Sequence, residues 1–279
     1  MKIKFWGARG SITVCGKDYL KYGGDTTCVE IRSKKGDLII IDAGTGIRNL
    51  GKQLIKEGTK SFNMLFTHSH WDHIMGFPFF APIYRKSTKI VLRGCSFCAE
   101  SIKEVLTKTM RPPGFPVKFE EISASFEYRS VPAEKFEIGG IKITPIELSH
   151  PNFGLGYRFE EDEKSFVFLT DNELGFSHPG AKKFEDYVAF CAGADLLVHD
   201  AEYTEEEYPK KKTWGHSTNK QALNLALKAK VKTLGFTHHN QDRIDIEVDK
   251  MVDSCKADSK AEGIDLDCFA VQVGQEIEL

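Results

Sequence analysis

The sequence contains no run of about 18 apolar residues of the kind that spans a bilayer. Its first residues, Met1 to Val14, also lack the roughly 7 to 15 residue apolar stretch of a secretory signal. Cysteine is sparse, with seven scattered residues, and the lone Cys95-x-x-Cys98 pair is weak support for a metal or redox site. We therefore expect a cytoplasmic protein with reduced thiols and no membrane segment.

Positive charge is not in excess either. Lys and Arg total 38 against 40 for Asp and Glu, so the net charge of -2 provides no general attraction for a polyanion. The 41% hydrophobic residues can form a sizeable core, which excludes a disordered chain. No repeat, low-complexity tract or linker interrupts the 279 residues, and we predict a single domain over 1–279.

Short strands rich in β-branched and aromatic residues alternate with amphipathic helices. Ile47, Leu50 and Leu54 recur at helical spacing and predict a helix that ends near Gly58. A second helix is predicted over Phe97–Met110, and a last strand pair at the carboxyl end. Two β-rich blocks, each flanked by helices, predict a layered α/β (α+β) sandwich.

The segment with the strongest functional signal runs from Phe66 to His73, at the end of a predicted strand. It contains three histidines and one carboxylate. In an extended chain, residues two apart face the same side, so His68 and His70 can bind one cation together. A turn into a helix then redirects Asp72 and His73, which can bind a second cation beside the first. Four ligands are too few for two ions, so others must come from distant parts of the chain.

Candidates for these further ligands follow later apolar strands, where a rigid scaffold commonly presents functional side chains. They are His150, Asp171 and His238.

This order of motifs is similar to that of the metallo-β-lactamase superfamily, and within it to the phosphodiesterase branch that includes tRNase Z. The resemblance implies a four-layer αβ/βα sandwich with two divalent metal ions at the edge between two sheets. Zinc is the first expectation, with manganese or iron as alternatives. The resemblance assigns His68, His70 and His150 to the first ion, and Asp72, His73 and His238 to the second. Asp171 would bridge both ions, and Asp42 would orient a ligand.

A second element, Trp214-Gly215-His216-Ser217-Thr218, resembles the Gly-His-Ser-Thr element of tRNase Z-like enzymes. By this resemblance His216 is the general acid and Asp200 holds it, so that Asp72, His216 and Asp200 are the candidate catalytic residues. The implied reaction is attack on a phosphodiester by a hydroxide that bridges the metal ions.

The substrate is expected to be a compact phosphodiester, such as a cyclic nucleotide or short RNA. The arm that clamps tRNA in tRNase Z lies between the third motif and the bridging aspartate, but here only a hairpin separates His150 from Asp171. Together with the net charge, this predicts that tRNA is not a substrate. Homodimerisation is expected from the resemblance alone.

Two alternatives stay open at this point. The same metal site could hydrolyse a thioester or a lactam, or it could hold a di-iron centre that senses oxygen or redox state without hydrolysis. The sequence also leaves open whether His239, Trp71, Trp214 or Arg9 touches the substrate.

Overall fold

The structure is a computed structural model that describes residues 1–95, 99–131 and 134–279. The strands are β1 (Lys2–Gly7), β2 (Cys28–Arg32), β3 (Leu38–Ile41), β4 (Ser61–Leu65), β5 (Lys89–Cys95), β6 (Ser125–Val131), β7 (Phe136–Ile138), β8 (Ile141–Glu147), β9 (Leu155–Glu161), β10 (Lys164–Leu169), β11 (Leu196–Asp200), β12 (Thr233–Thr237), β13 (Asp267–Ala270) and β14 (Glu276–Glu278). The helices are α1 (Ile47–Glu57), α2 (Trp71–Ile74), α3 (Ala99–Thr109), α4 (Phe184–Cys191), α5 (Asn219–Ala229) and α6 (Asp245–Ala261).

Most of the predicted elements are present. Gly58 ends α1 with a left-handed φ of 75°, a conformation that glycine adopts without a steric penalty. The helix predicted over Phe97–Met110 is observed from Ala99 onwards, and its predicted start at Phe97 lies outside the described residues, as does Cys98.

The strands form two seven-stranded mixed sheets. The first has the order β14-β1-β2-β3-β4-β5-β6 and is parallel from β3 to β6, and the second has the order β13-β12-β11-β10-β9-β8-β7 and is parallel from β10 to β13. The prediction of a last strand pair is wrong, because β13 joins β12 in the second sheet whereas β14 joins β1 in the first. The end of the chain thus ties the two sheets together.

Apolar side chains between the sheets form the central core. Phe5 and Ile31 of the first sheet and Phe159, Phe166 and Val198 of the second are buried there. A second apolar cluster includes residues of α1 and α3 on the outer side of the first sheet, and a third includes residues of α4, α5 and α6 on the outer side of the second. These four layers confirm the predicted αβ/βα sandwich. Among the described helices, none has both the length and the apolar character needed to cross a bilayer.

The parallel strands bring their carboxyl ends to one edge of the sandwich. Asp42 follows β3, Asp171 comes two residues after β10, and His238 follows β12. All three have left-handed backbones, with φ values of 60°, 53° and 58°. Such conformations are uncommon for residues other than glycine, and they turn the chain sharply at the point where each side chain must reach the edge.

The layered core generates a matched stability test. Leu225 of α5 is fully buried in the third cluster, whereas Leu20 is 79% exposed. We expect Leu225→Ala to lower the free energy of unfolding by about 2 to 5 kcal/mol, because the substitution leaves a cavity. Leu20→Ala should change it by less than about 0.5 kcal/mol. Urea unfolding followed by circular dichroism measures both, and equal losses would contradict the assigned layering.

Candidate metal centre

Four of the predicted ligands form a first group at the edge of the sandwich: His68, His70, His150 and Asp171. One ligating atom from each lies within 4.8 Å of those of the others. The Nε2 atom of His150 lies 3.0 Å from Nδ1 of His70, and Nε2 of His68 lies 3.6 Å from Oδ1 of Asp171. This spacing suits three imidazoles and one carboxylate around a single ion.

A second group shares one member with the first and consists of Asp72, His73, Asp171 and His238. The Nε2 atom of His73 lies 3.3 Å from Oδ2 of Asp72 and 3.2 Å from Oδ2 of Asp171. The Nε2 atom of His238 lies 3.1 Å from Oδ2 of Asp72 and 3.3 Å from Oδ1 of Asp171. Because Asp171 belongs to both groups, its carboxylate is placed to bridge two ions.

The far nitrogens of three ligand rings are held by acceptors. Nδ1 of His73 donates to Oδ2 of Asp42 at 2.8 Å, and Nδ1 of His238 donates to Oε2 of Glu202 at 2.9 Å. Nδ1 of His150 donates to the carbonyl of Gly215 at 2.9 Å. Each contact orients its ring with Nε2 towards the centre, and in the neutral ring it fixes the tautomer that leaves a lone pair on Nε2.

The donor set fits divalent cations. Burial lowers the pKa of His73, but Asp72, Asp171 and Asp42 outweigh this effect and raise it well above its ordinary value. The position of Nε2 between two carboxylate oxygens thus calls for positive charge, which a proton on the ring or a bound cation can supply. The Nε2 atoms of His68 and His73 are both buried and make no hydrogen bond. Buried orphan atoms of this kind are rare and call for an explanation. Imidazole and carboxylate ligands accept several divalent metals, including zinc, manganese and iron.

The pKa shifts of the imidazoles differ between the two groups. In the second group, the neighbouring carboxylates outweigh burial and raise the pKa values of His73 and His238 well above the ordinary value. In the first group, burial dominates. Burial lowers the pKa of His150 to about 3 and keeps the pKa of His68 well below its ordinary value, so both rings are neutral and free to bind metal. Burial alone would raise the pKa of Asp171, but His238, His73 and His68 hold it well below its usual range. Asp171 is therefore ionised and supplies negative charge to both groups.

His216 lies beside the second group and is not among the four ligands there. Its Nδ1 contacts Oδ2 of Asp200 at 2.9 Å, and its ring stacks 4.5 Å from that of His238. Burial lowers the pKa of His216, but the charges of Glu202 and Asp200 outweigh this effect and raise it to about 9. The imidazole therefore carries a proton at neutral pH, as a general acid requires.

Two buried glutamates were missed by sequence reasoning. Glu202 lies 2.9 Å from Nδ1 of His238 and 3.4 Å from Nε2 of His216, and its position just after β11 could have marked it. Glu173 lies two residues beyond Asp171 and accepts hydrogen bonds from the backbone N–H groups of Thr213 and Gly215. No pattern in the sequence links Glu173 to a segment that far along the chain.

Four residues were candidates for substrate contact on the sequence alone, and the structure divides them by exposure. Arg9 is buried and donates to the carbonyls of Gly23, Asn240 and Arg243, and His239 is buried against the carbonyl of Val271. Both therefore hold loops in place. Trp71 and Trp214, in contrast, are 63% and 57% exposed.

Proteins similar to this chain include nucleases. A ribonuclease Z of Haloarcula marismortui is 24% identical over 302 residues, covering 92% of this chain and 91% of the relative. The structure is also similar to human tRNase Z, short form, with a TM-score of 0.66 and 17% identity over 100% of this chain and 99% of that one. A diphosphatase from the PhnP family has a TM-score of 0.69 and 20% identity, covering 100% of this chain and 97% of the other. At these identities the structural likeness shows the fold alone.

The expectation that tRNA is not a substrate is wrong. The ribonuclease Z relative aligns over 92% of the chain, and a tRNase Z shares its fold over the whole length. The expectation relied partly on the net charge of -2, which sums over the entire surface and does not describe the surface around the site.

Residues 38–239 match the model of a family described as the β-lactamase superfamily domain. The matched range holds every predicted metal ligand, from His68 to His238. The chain therefore belongs to the metallo-β-lactamase superfamily, and the ribonuclease Z relatives confirm the predicted likeness to its phosphodiesterase branch.

Proposed function

We propose that this protein is a metal-dependent phosphodiesterase that cleaves nucleotide phosphodiesters, such as cyclic nucleotides or short RNA. The broader prediction of a metal-dependent hydrolase is confirmed at the level of the superfamily. The observation that carries the finer proposal is the His216–Asp200 pair beside the two ligand groups, because a protonated imidazole is suited to a leaving alkoxide.

The two groups suit two divalent ions. His68, His70 and His150 would hold the first, Asp72, His73 and His238 would hold the second, and Asp171 would serve both. When bound, such ions would supply a nucleophilic water of lowered pKa and positive charge that offsets the negative charge developing at the phosphate. Zinc is the first expectation, and manganese or iron would suit the same donors.

The protein's own residues supply the remaining steps. His216 donates the proton that the departing oxygen needs, and Asp200, fully buried, holds the ring through Nδ1 and stabilises its charged form. Asp42 and Glu202 keep His73 and His238 turned towards the centre. A thioester or lactam substrate would release a different leaving group, and a non-hydrolytic di-iron sensor would need no proton donor at all.

Cytoplasmic location, homodimerisation and the single-domain organisation stay predictions.

The first test concerns metal content. Purified protein should hold about two divalent ions per chain, and it should hydrolyse bis(p-nitrophenyl) phosphate or a cyclic nucleotide. Asp171→Asn should lose at least one ion and about 100-fold or more in kcat, because one carboxylate serves both groups. Asp162→Asn makes the same chemical change at an exposed position and should leave both quantities unchanged. Elemental analysis and initial rates measure them, and an active, fully metallated Asp171→Asn protein would overturn the assignment.

The second test concerns the proton donor. His216→Ala should reduce cleavage of a cyclic nucleotide or short RNA by about 100-fold to 10,000-fold, because a ribose alkoxide must be protonated as it leaves. The same variant should lose much less on bis(p-nitrophenyl) phosphate, since p-nitrophenolate is stable as an anion. Rates on the two substrates at one metal content give the comparison. Equal losses on both would contradict the acid role, and activity on thioesters alone would favour the rival hydrolase.

A further inference from the structure

A short basic segment, residues Lys210 to Trp214, lies on the surface next to the centre. Lys210 and Lys212 are exposed, and neither makes an ion pair with any residue in 1–95, 99–131 or 134–279. The Nζ atom of Lys211 lies 4.0 Å from the centroid of the Trp214 ring. The segment therefore presents three ammonium groups and one exposed indole in five residues.

In the described part of the chain, the nearby acidic side chains form no ion pair with these lysines. Glu205 accepts a hydrogen bond from the Thr218 hydroxyl, and Glu207 is paired with Arg243. Glu206 is exposed. Glu205 and Glu206 keep their negative charge and offset part of that of the lysines, but the three ammonium groups stay unpaired among the described residues and can bind a phosphate backbone.

The basic segment is fixed to the centre by a buried carboxylate. Glu173 accepts hydrogen bonds from the Tyr208 hydroxyl at 2.7 Å, from the Thr213 N–H at 2.7 Å and from the Gly215 N–H at 2.8 Å. Its side chain is fully buried, so these bonds hold both ends of the segment. The segment is therefore already in place before a ligand arrives.

Gly215 joins the basic segment to a metal ligand. Its carbonyl accepts the hydrogen bond from His150, and its φ of 94° lies in the region that favours glycine. A Cβ atom at this position would lie 2.1 Å from Nδ1 of His150, so the backbone can approach the ring only without a side chain. Trp214, one residue earlier, is thus held beside the first ligand group.

A second exposed indole lies near the same group. Trp71 immediately follows His70 and is the first residue of α2. The rings of His70 and His150 are in contact, with Nε2 of His150 3.0 Å from Nδ1 of His70. Trp71 is the neighbour of His70 in the chain. Trp214 is the neighbour of Gly215, whose carbonyl accepts the hydrogen bond from His150. Exposed aromatic faces beside a basic groove are the usual platform for unpaired bases.

We propose that the basic segment and the two indoles bind a single-stranded oligonucleotide that runs across the centre. Trp214 and Trp71 stack on bases next to the scissile phosphate, and Lys210, Lys211 and Lys212 bind phosphates further along the strand. The inference rests on the proposed phosphodiesterase function and narrows its substrate class to a nucleic-acid strand.

The test compares a strand with a compact diester. The variants are Trp214→Ala, Trp214→Phe and the triple change Lys210→Gln, Lys211→Gln, Lys212→Gln. The matched control is Lys52→Gln, Lys56→Gln, Lys60→Gln, which removes the same charge from exposed positions within α1 and just before β4, away from the carboxyl ends of the strands. Fluorescence anisotropy on the metal-loaded full chain measures binding of a labelled ten-nucleotide single-stranded RNA and of the matching DNA. Initial rates compare that RNA with bis(p-nitrophenyl) phosphate.

The basic triple variant and Trp214→Ala should each raise the dissociation constant for the RNA about tenfold, and Trp214→Phe should restore much of the loss. In the basic triple variant, the slope of log affinity against log salt should fall by about 0.7 for each phosphate contact removed. The ratio of kcat/KM for RNA to that for the compact diester should fall in parallel, while the control triple variant matches the unmodified protein.

The outcomes separate this inference from the proposed function. If the basic triple variant binds RNA with the affinity and salt slope of the unmodified protein, the inference is wrong, whatever the activity. If the unmodified protein binds RNA through these residues but cleaves no diester, the proposed function fails and the binding site stands. Equal affinity for RNA and DNA would mean that the site reads the strand and not the 2′-hydroxyl.

Discussion

The arrangement of the whole site depends on the buried carboxylate of Asp171, which both ligand groups share. The carboxylate lies between two groups of buried imidazoles, within 3.6 Å of the Nε2 atoms of His68, His73 and His238. A buried carboxylate is costly unless opposite charge or hydrogen-bond donors surround it. Because several of the facing nitrogens carry lone pairs, the arrangement is stable only with cations or protons at its middle. The same demand for positive charge makes the site suited to divalent metal ions.

Holding such a centre requires strained backbone and a rigid support. Asp42, Asp171 and His238 all leave their strands through left-handed conformations, and two sheets packed on a common core stabilise these strained turns.

Further buried acidic residues surround the candidate ligands. Asp42 orients His73, Glu202 orients His238, and Asp200 holds His216. Glu173 extends this set to the surface, since it anchors the segment that carries Trp214. The proposed catalytic groups and the proposed strand-binding segment are thus connected through buried carboxylates.

A sequence pattern predicts a site well when few other structures would need the same residue types at the same spacing. The spacing of His68, His70, Asp72 and His73 predicts a metal site because few other structures need three imidazoles and a carboxylate so close together. Strand β6, by contrast, was not predicted, since most of its residues are partly or fully exposed and only Val131 at its end is buried. An edge strand of this kind carries little hydrophobic pattern to detect.

The sequence by itself predicted the layered fold from periodicity and a metal site from one local motif, because these are properties of neighbouring positions. Its resemblance to a known family supplied the superfamily and the complete set of candidate metal ligands. Only the tertiary structure decided which groups face one another across the sandwich edge. Glu202 and Glu173 act on partners that are 36 and 42 residues further along the chain, at His238 and Gly215. The partner of Glu207 is likewise set only by folding, which pairs it with Arg243 and not with a lysine of the neighbouring segment. Contacts between distant residues depend on how the strands are ordered in space, and no local pattern encodes that order.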